Sequence, residues 1–230
     1  MVFPLRDSVP TRRRPWVTYS LVALNLVLFL VELGAGDLAN DLLSLFAVVP
    51  TRVLSLRVWA MTGGWPLVTL VTSTFFHGSW THLIGNMLYL WVFGDNIEDL
   101  LGRGRYLLFY LLCGVLANIA HVAANPSSQA LTIGASGAVA GVLGGYLLRF
   151  PRAKILTLFP IGFLVPAVPI AASIYLVLWF LMQLFSGLAP IWVRDVTQTV
   201  AFWAHISGFL SGFALVRLLE PKRERLLPGG

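Results

Sequence analysis

The stretch Gly134-Ala135-Ser136-Gly137-Ala138-Val139-Ala140-Gly141-Val142-Leu143-Gly144-Gly145 sets one hydroxyl among small residues at the start of an apolar helix. Gly137 and Gly141 are four apart, as are Gly141 and Gly145, so one face of this helix admits the backbone of a neighbour. Ser136 sits beside that face. Taken alone, the pattern reads as helix packing, with the serine returning its hydroxyl to a backbone carbonyl. The rest of the chain supplies the reasons to read it differently.

Of 230 residues, 57% are hydrophobic and 11% charged, and the mean hydropathy is +0.81. These values exclude an ordinary soluble globule and describe a polytopic membrane protein. A net charge of +6 would suit nucleic acid, but the basic residues fall in short clusters between apolar runs, where phospholipid headgroups explain them. Cys113 is the single cysteine, so no intrachain disulfide forms. No metal-binding cluster is legible.

Residues 1–15, with Arg6, Arg12, Arg13, Arg14 and three prolines, read as a solvated basic cytoplasmic tail. Trp16 to Leu33 is long enough to span a bilayer; a signal peptide competes, but no small-residue cleavage pattern follows. Segment 34–80 alternates short apolar stretches with Asp37, Asp41, Arg52 and Arg57, which suits short interfacial helices. Five further spans are predicted over 81–97, 105–123, 136–150, 167–185 and 200–219, followed by a C-terminal cytoplasmic tail over 220–230. The group Asp95, Glu98, Asp99, Arg103 and Arg105 reads as a solvated loop. Thirteen of the sixteen Lys and Arg lie in the tail, the 98–105 and 149–154 loops and the C-terminal end, leaving Arg52, Arg57 and Arg194 opposite. That segregation predicts six spans, 16–219, with both termini cytoplasmic.

With this orientation the second, fourth and sixth spans run the same way, so their first turns share a level. His82 and Asn86 are i and i+4 on the second. Ser136 opens the fourth, and His205 lies roughly 8 Å along the sixth at ~1.5 Å per residue. Gly208 and Gly212 share the His205 face, so pairing them with Gly137 and Gly141 would bring His205 within reach of Ser136. Each polar residue has a bland reading as a helix pin. Together they have the makings of nucleophilic attack on a carbonyl, because a serine, a histidine base and extra donors are the minimum set, and polar groups at membrane depth are costly unless partnered and usually mark function. His77 and His121, near the outer surface, receive no catalytic role. H-E-x-x-H is absent, and His77 to His82 is an i, i+5 spacing, which disfavours a metalloprotease. Nucleotide binding has no support.

These residues resemble the rhomboid family of intramembrane serine proteases, over nearly all of Trp16 to Leu219. Three motifs occur in family order: H-x-x-x-N at His82 to Asn86, G-x-S-G at Gly134 to Gly137, and A-H-x-x-G-x-x-x-G at Ala204 to Gly212. Phe76-His77-Gly78-Ser79-Trp80 looks like the family's approach to the second helix. The resemblance implies an all-α, six-helix membrane bundle with an interfacial first loop, in which Ser136 is the nucleophile, His205 the general base, and His82, Asn86 and the Ser136 backbone N–H the oxyanion hole. Two positions depart from the family pattern. Val68-Thr69 stands where many members carry Trp-Arg, and Ala140 stands where many carry an aromatic that packs on the histidine, leaving Trp203 or another ring to brace it.

The reading is therefore an intramembrane serine endopeptidase of the plasma (inner) membrane, needing no cofactor, metal or nucleic acid. No aspartate lies near His205 on its helix, so a Ser–His pair replaces a triad. The resemblance implies single-span transmembrane protein substrates, entering from membrane lipid and cut near the outer face. Two rivals are a catalytically silent client-binding relative, which would not need to retain both Ser136 and His205, and a transporter. Against the transporter stand the absence of an inverted repeat and of charged residues near the middle of spans two to six.

Overall fold

The computed structural model describes residues 3–159, 166–192 and 201–221. Residues 193–200, Arg194 among them, and the tail beyond residue 221 lie outside the described residues. Long helices occupy all six apolar runs: α1 (Trp16–Gly34), α6 (Trp80–Leu101), α7 (Arg103–Ala124), α8 (Ser136–Arg149), α9 (Ala172–Trp192) and α10 (Phe202–Leu219). Between α1 and α6 lie four short helices, α2 (Ala39–Phe46), α3 (Pro50–Val53), α4 (Leu56–Thr62) and α5 (Trp65–Thr72). Among the described residues, α1, α7 and α10 are long and apolar enough to cross a membrane.

Helix α8 forms the centre, with Gly137 through Tyr146 all buried and α6, α7, α9 and α10 packed around it. At 14 residues it is roughly 21 Å long at ~1.5 Å per residue, well short of the ~30 Å hydrocarbon thickness. Its last residue is Arg149, whose guanidinium pairs with Glu220 at 2.8 Å. Ser136 stands at the opposite end of this helix from that charged pair.

The contact between α8 and α10 is made backbone to backbone. A Cβ on Gly208 would strike the Gly137 carbonyl oxygen, and one on Gly212 the Gly141 carbonyl oxygen. In a bilayer, where apolar side chains gain nothing from leaving lipid, such close approach supplies the dispersion contacts that hold helices together.

A three-stranded antiparallel sheet, order β1-β2-β3, lies outside what the sequence reading foresaw. It joins β1 (Phe3–Arg6), β2 (Lys154–Leu158) and β3 (Ala167–Ala171). The run predicted to be helical from 167 therefore starts as a strand, and its helix begins at Ala172. Prolines decide the arrangement. Pro4 and Pro169 fall in the two edge strands, where a missing N–H is tolerated, while central β2, Lys-Ile-Leu-Thr-Leu, has no proline.

The supposed solvated tail is accordingly tied down. Tyr146 donates its hydroxyl proton to Asp7, Lys154 N–H donates to Ser8 Oγ at 2.9 Å, and Arg12 N–H donates to Asp99 at 3.1 Å. Arg6, Arg12, Arg13 and Arg14 remain exposed. The acidic group read as a solvated loop is likewise corrected, because α6 continues to Leu101 and Glu98 is only 3% exposed. Its carboxylate accepts the Val17 and Thr18 backbone N–H groups at 3.0 and 2.8 Å, capping α1 from a neighbouring helix.

Gly212→Val should lower the thermal unfolding midpoint in detergent by the equivalent of about 1–3 kcal/mol, the usual range for overpacking. Gly104→Ala, where a Cβ meets nothing within 4 Å, is the control and should leave the midpoint unchanged. Equal midpoints for both variants would show that the α8–α10 backbones do not need this closeness.

Candidate active site

Ser136 is the first residue of α8, and the turn before it is set by Gly134 at φ +122°, a conformation that L side chains rarely adopt. The Ser73 carbonyl accepts the Gly134 N–H at 2.9 Å, anchoring that turn to the residues before α6. His205 projects from the first turns of α10, and its Nε2 lies 2.8 Å from Ser136 Oγ. These residues are 69 apart in sequence. Gly137 and Gly208, next to them on the two helices, supply the close approach.

His82 and Asn86 come to the same place from α6. The His82 ring lies against Gly134 so closely that a Cβ there would fall 2.5 Å from His82 Cε1 and 3.7 Å from Asn86 Nδ2. Glycine is thus required twice over, by its dihedral and by the histidine. All four polar residues singled out in the sequence converge on the start of α8.

Three residues without a predicted role join them. His77 is fully buried, and its Nε2 lies 3.0 Å from Asn86 Nδ2 and 3.5 Å from the Ala135 N–H. Two donors aimed at Nε2 require it to be unprotonated, which places the ring proton on Nδ1. Burial, helped by the nearby His82 ring, pushes the His77 imidazole down to about 3 and keeps it neutral. Glu32, near the end of α1, accepts the His77 backbone N–H at 3.1 Å. Gln183 on α9 places Oε1 2.9 Å from His205 Nδ1.

The i, i+5 spacing hid His77 because it stands before α6 and not on it. Nothing in the local sequence marks Glu32 or Gln183, whose partners lie 45 and 22 residues away. His121 has a structural place: its ring pairs with Thr132 Oγ1 at 3.0 Å, pinning the loop before α8. The rings beside His205 are Trp179 and Phe202, with centroids 6.2 and 6.3 Å away. At the departure Val68-Thr69, Thr69 is buried with its hydroxyl turned back to the Pro66 carbonyl, while Val68 is exposed.

Residues 64–222 match the model of the Rhomboid domain. The chain is 33% identical over 135 residues to "Rhomboid protease GluP" of Bacillus subtilis (strain 168), covering 58% of this chain and 24% of that protein. It is 36% identical over 155 residues to "Rhomboid-like protein 11, chloroplastic" of Arabidopsis thaliana, covering 65% of this chain and 51% of that protein. With "Putative rhomboid protease YdcA" of Bacillus subtilis (strain 168) the identity is 28%, covering 68% of this chain and 69% of that protein. The chain thus spans about a quarter of the length of the first of these relatives and about half of the second.

The neutral His77 has a measurable consequence. An unfolded histidine takes up its proton below its ordinary value of 6.5, whereas the folded one resists until about 3. The unfolded state therefore binds more protons throughout that window, and stability falls as pH drops through it. His77→Gln keeps a hydrogen-bond acceptor for Asn86 but removes the titration. Its unfolding midpoint should vary less than that of the wild type between pH 6.5 and pH 4, and identical slopes would place the titration elsewhere.

Proposed function

Since the chain belongs to the rhomboid family, we propose that it is an intramembrane serine protease hydrolysing peptide bonds in or near transmembrane segments. The observation that carries this reading is the 2.8 Å approach of Ser136 Oγ to His205 Nε2, beneath one end of a helix too short to cross the bilayer. His205 takes the Oγ proton as Ser136 attacks the carbonyl carbon, then returns it to the leaving amine. The developing oxyanion is met by the Ser136 backbone N–H, the His82 ring and Asn86. One of the two Nδ2 hydrogens of Asn86 is committed to His77, leaving the second for the oxygen.

The rest of the reading follows from the distribution of polarity. The six long helices span the membrane with both termini cytoplasmic, which puts Ser136 in the outer leaflet of the plasma (inner) membrane. Substrates are single-span proteins entering laterally from lipid. They are cut where the segment readily leaves helical form, because a helical peptide bond is shielded by its own hydrogen bonding.

Ser136→Ala and His205→Ala should each abolish cleavage of a fluorogenic transmembrane peptide in proteoliposomes while leaving the unfolding midpoint close to that of the wild type. Substantial turnover by folded Ser136→Ala protein would exclude the mechanism; an inert wild type would favour a silent client-binding relative. Asn86→Ala should cost roughly 10²–10³ in kcat, the usual loss for one oxyanion donor. An unchanged rate would reassign Asn86 to holding His77.

A further inference from the structure

Behind His205, on the side away from Ser136, stands a polar side chain in a mainly apolar helix. Gln183 and Trp179 are i+4 and i on α9 and so share one face. That face presents the Trp179 ring at 6.2 Å and the Gln183 Oε1 at 2.9 Å from Nδ1 to the same imidazole. Phe202 closes the other flank, edge to face at 84°. The imidazole is thus clamped by two rings and aimed by one hydrogen bond.

The direction of that hydrogen bond matters. A carbonyl oxygen only accepts, so a contact through Oε1 requires the proton on Nδ1. A neutral imidazole with its proton on Nδ1 has a bare Nε2, and that nitrogen lies 2.8 Å from Ser136 Oγ. The opposite tautomer would direct an N–H at the serine and could not take its proton. An aspartate in this position would orient the ring equally well, but it would carry the penalty of a charge at membrane depth, which a neutral amide avoids.

Resting on the protease reading above, we propose that Gln183 is the positioning residue for His205, fixing its tautomer and orientation so that the Ser–His pair works with a neutral third member behind it. The amide does not touch substrate and does not itself move a proton. Packing against the imidazole is supplied separately, by the Trp179 and Phe202 rings, Ala140 carrying only a methyl group.

Two substitutions with opposite expectations test this. Gln183→Met keeps length and packs well in a membrane helix but offers no strong acceptor; Gln183→Glu keeps the acceptor oxygen and packs worse. A purely structural role predicts that Met is tolerated and Glu is not. The positioning role predicts that Gln183→Met lowers kcat by roughly 10- to 100-fold with KM little changed, the range seen when the hydrogen-bond partner behind a metal-ligating histidine is removed, while Gln183→Glu stays close to wild type. Wild-type kcat in Gln183→Met, or a loss in Gln183→Glu as deep as in Gln183→Met, would overturn the proposal. A second readout does not depend on turnover. Nitrogen-15 NMR of histidine-labelled full-length protein in micelles should show His205 protonated at Nδ1 in the wild type and mixed in Gln183→Met. Protonation at Nε2 in the wild type would overturn the proposal even in an active enzyme, whereas Nδ1 protonation in an inactive one would count against the protease reading alone.

Discussion

Everything at the centre of this molecule depends on how closely the backbones of α8 and α10 approach. Gly208 lies over the Gly137 carbonyl and Gly212 over the Gly141 carbonyl, with no side chain between them. Ser136 precedes Gly137, and His205 precedes Gly208 by one turn, so this register fixes the serine–histidine distance before either side chain chooses a rotamer. A 2.8 Å hydrogen bond tolerates little variation in helix separation. Because lipid offers helices no hydrophobic reason to associate, the precision has to come from shape.

Helix α1 serves as a strut between the two ends of the bundle. At its start Glu98 gathers the Val17 and Thr18 N–H groups; near its end Glu32 accepts the His77 N–H, and the His77 ring in turn receives the Asn86 amide. In both places a carboxylate that would be costly to bury alone is matched to backbone donors. The proposed oxyanion donor is thereby braced through His77 to α1.

What could be read beforehand was whatever the chain writes periodically. Glycines four apart announced the packing face, His82 and Asn86 at i and i+4 announced a shared direction, and the clustering of arginines announced the ends of the helices. What could not be read was pairing between distant single residues. Gln183 looks like one polar residue in an apolar run, and Glu32 like the end of a helix. Pro4 and Pro169 look like breakers until the sheet order puts both strands at edges. The acidic group 95–99 misled for a related reason, since charge ordinarily means solvent and here Glu98 is spent on a helix cap.

The small sheet also imposes an order on biosynthesis. Ser8 meets Lys154, which follows it by 146 residues, and among the described residues β1 pairs in the sheet with β2 alone. As the chain emerges, β1 must wait unpaired while the stretch bearing four of the long helices is made, then dock beside a strand whose own hairpin partner, β3, comes later still. So sequence-distant a closure is slow by its topology. Docking of β1 therefore comes late, after the helices between are made, and a chain stalled before residue 154 would leave β1 as an unpaired edge.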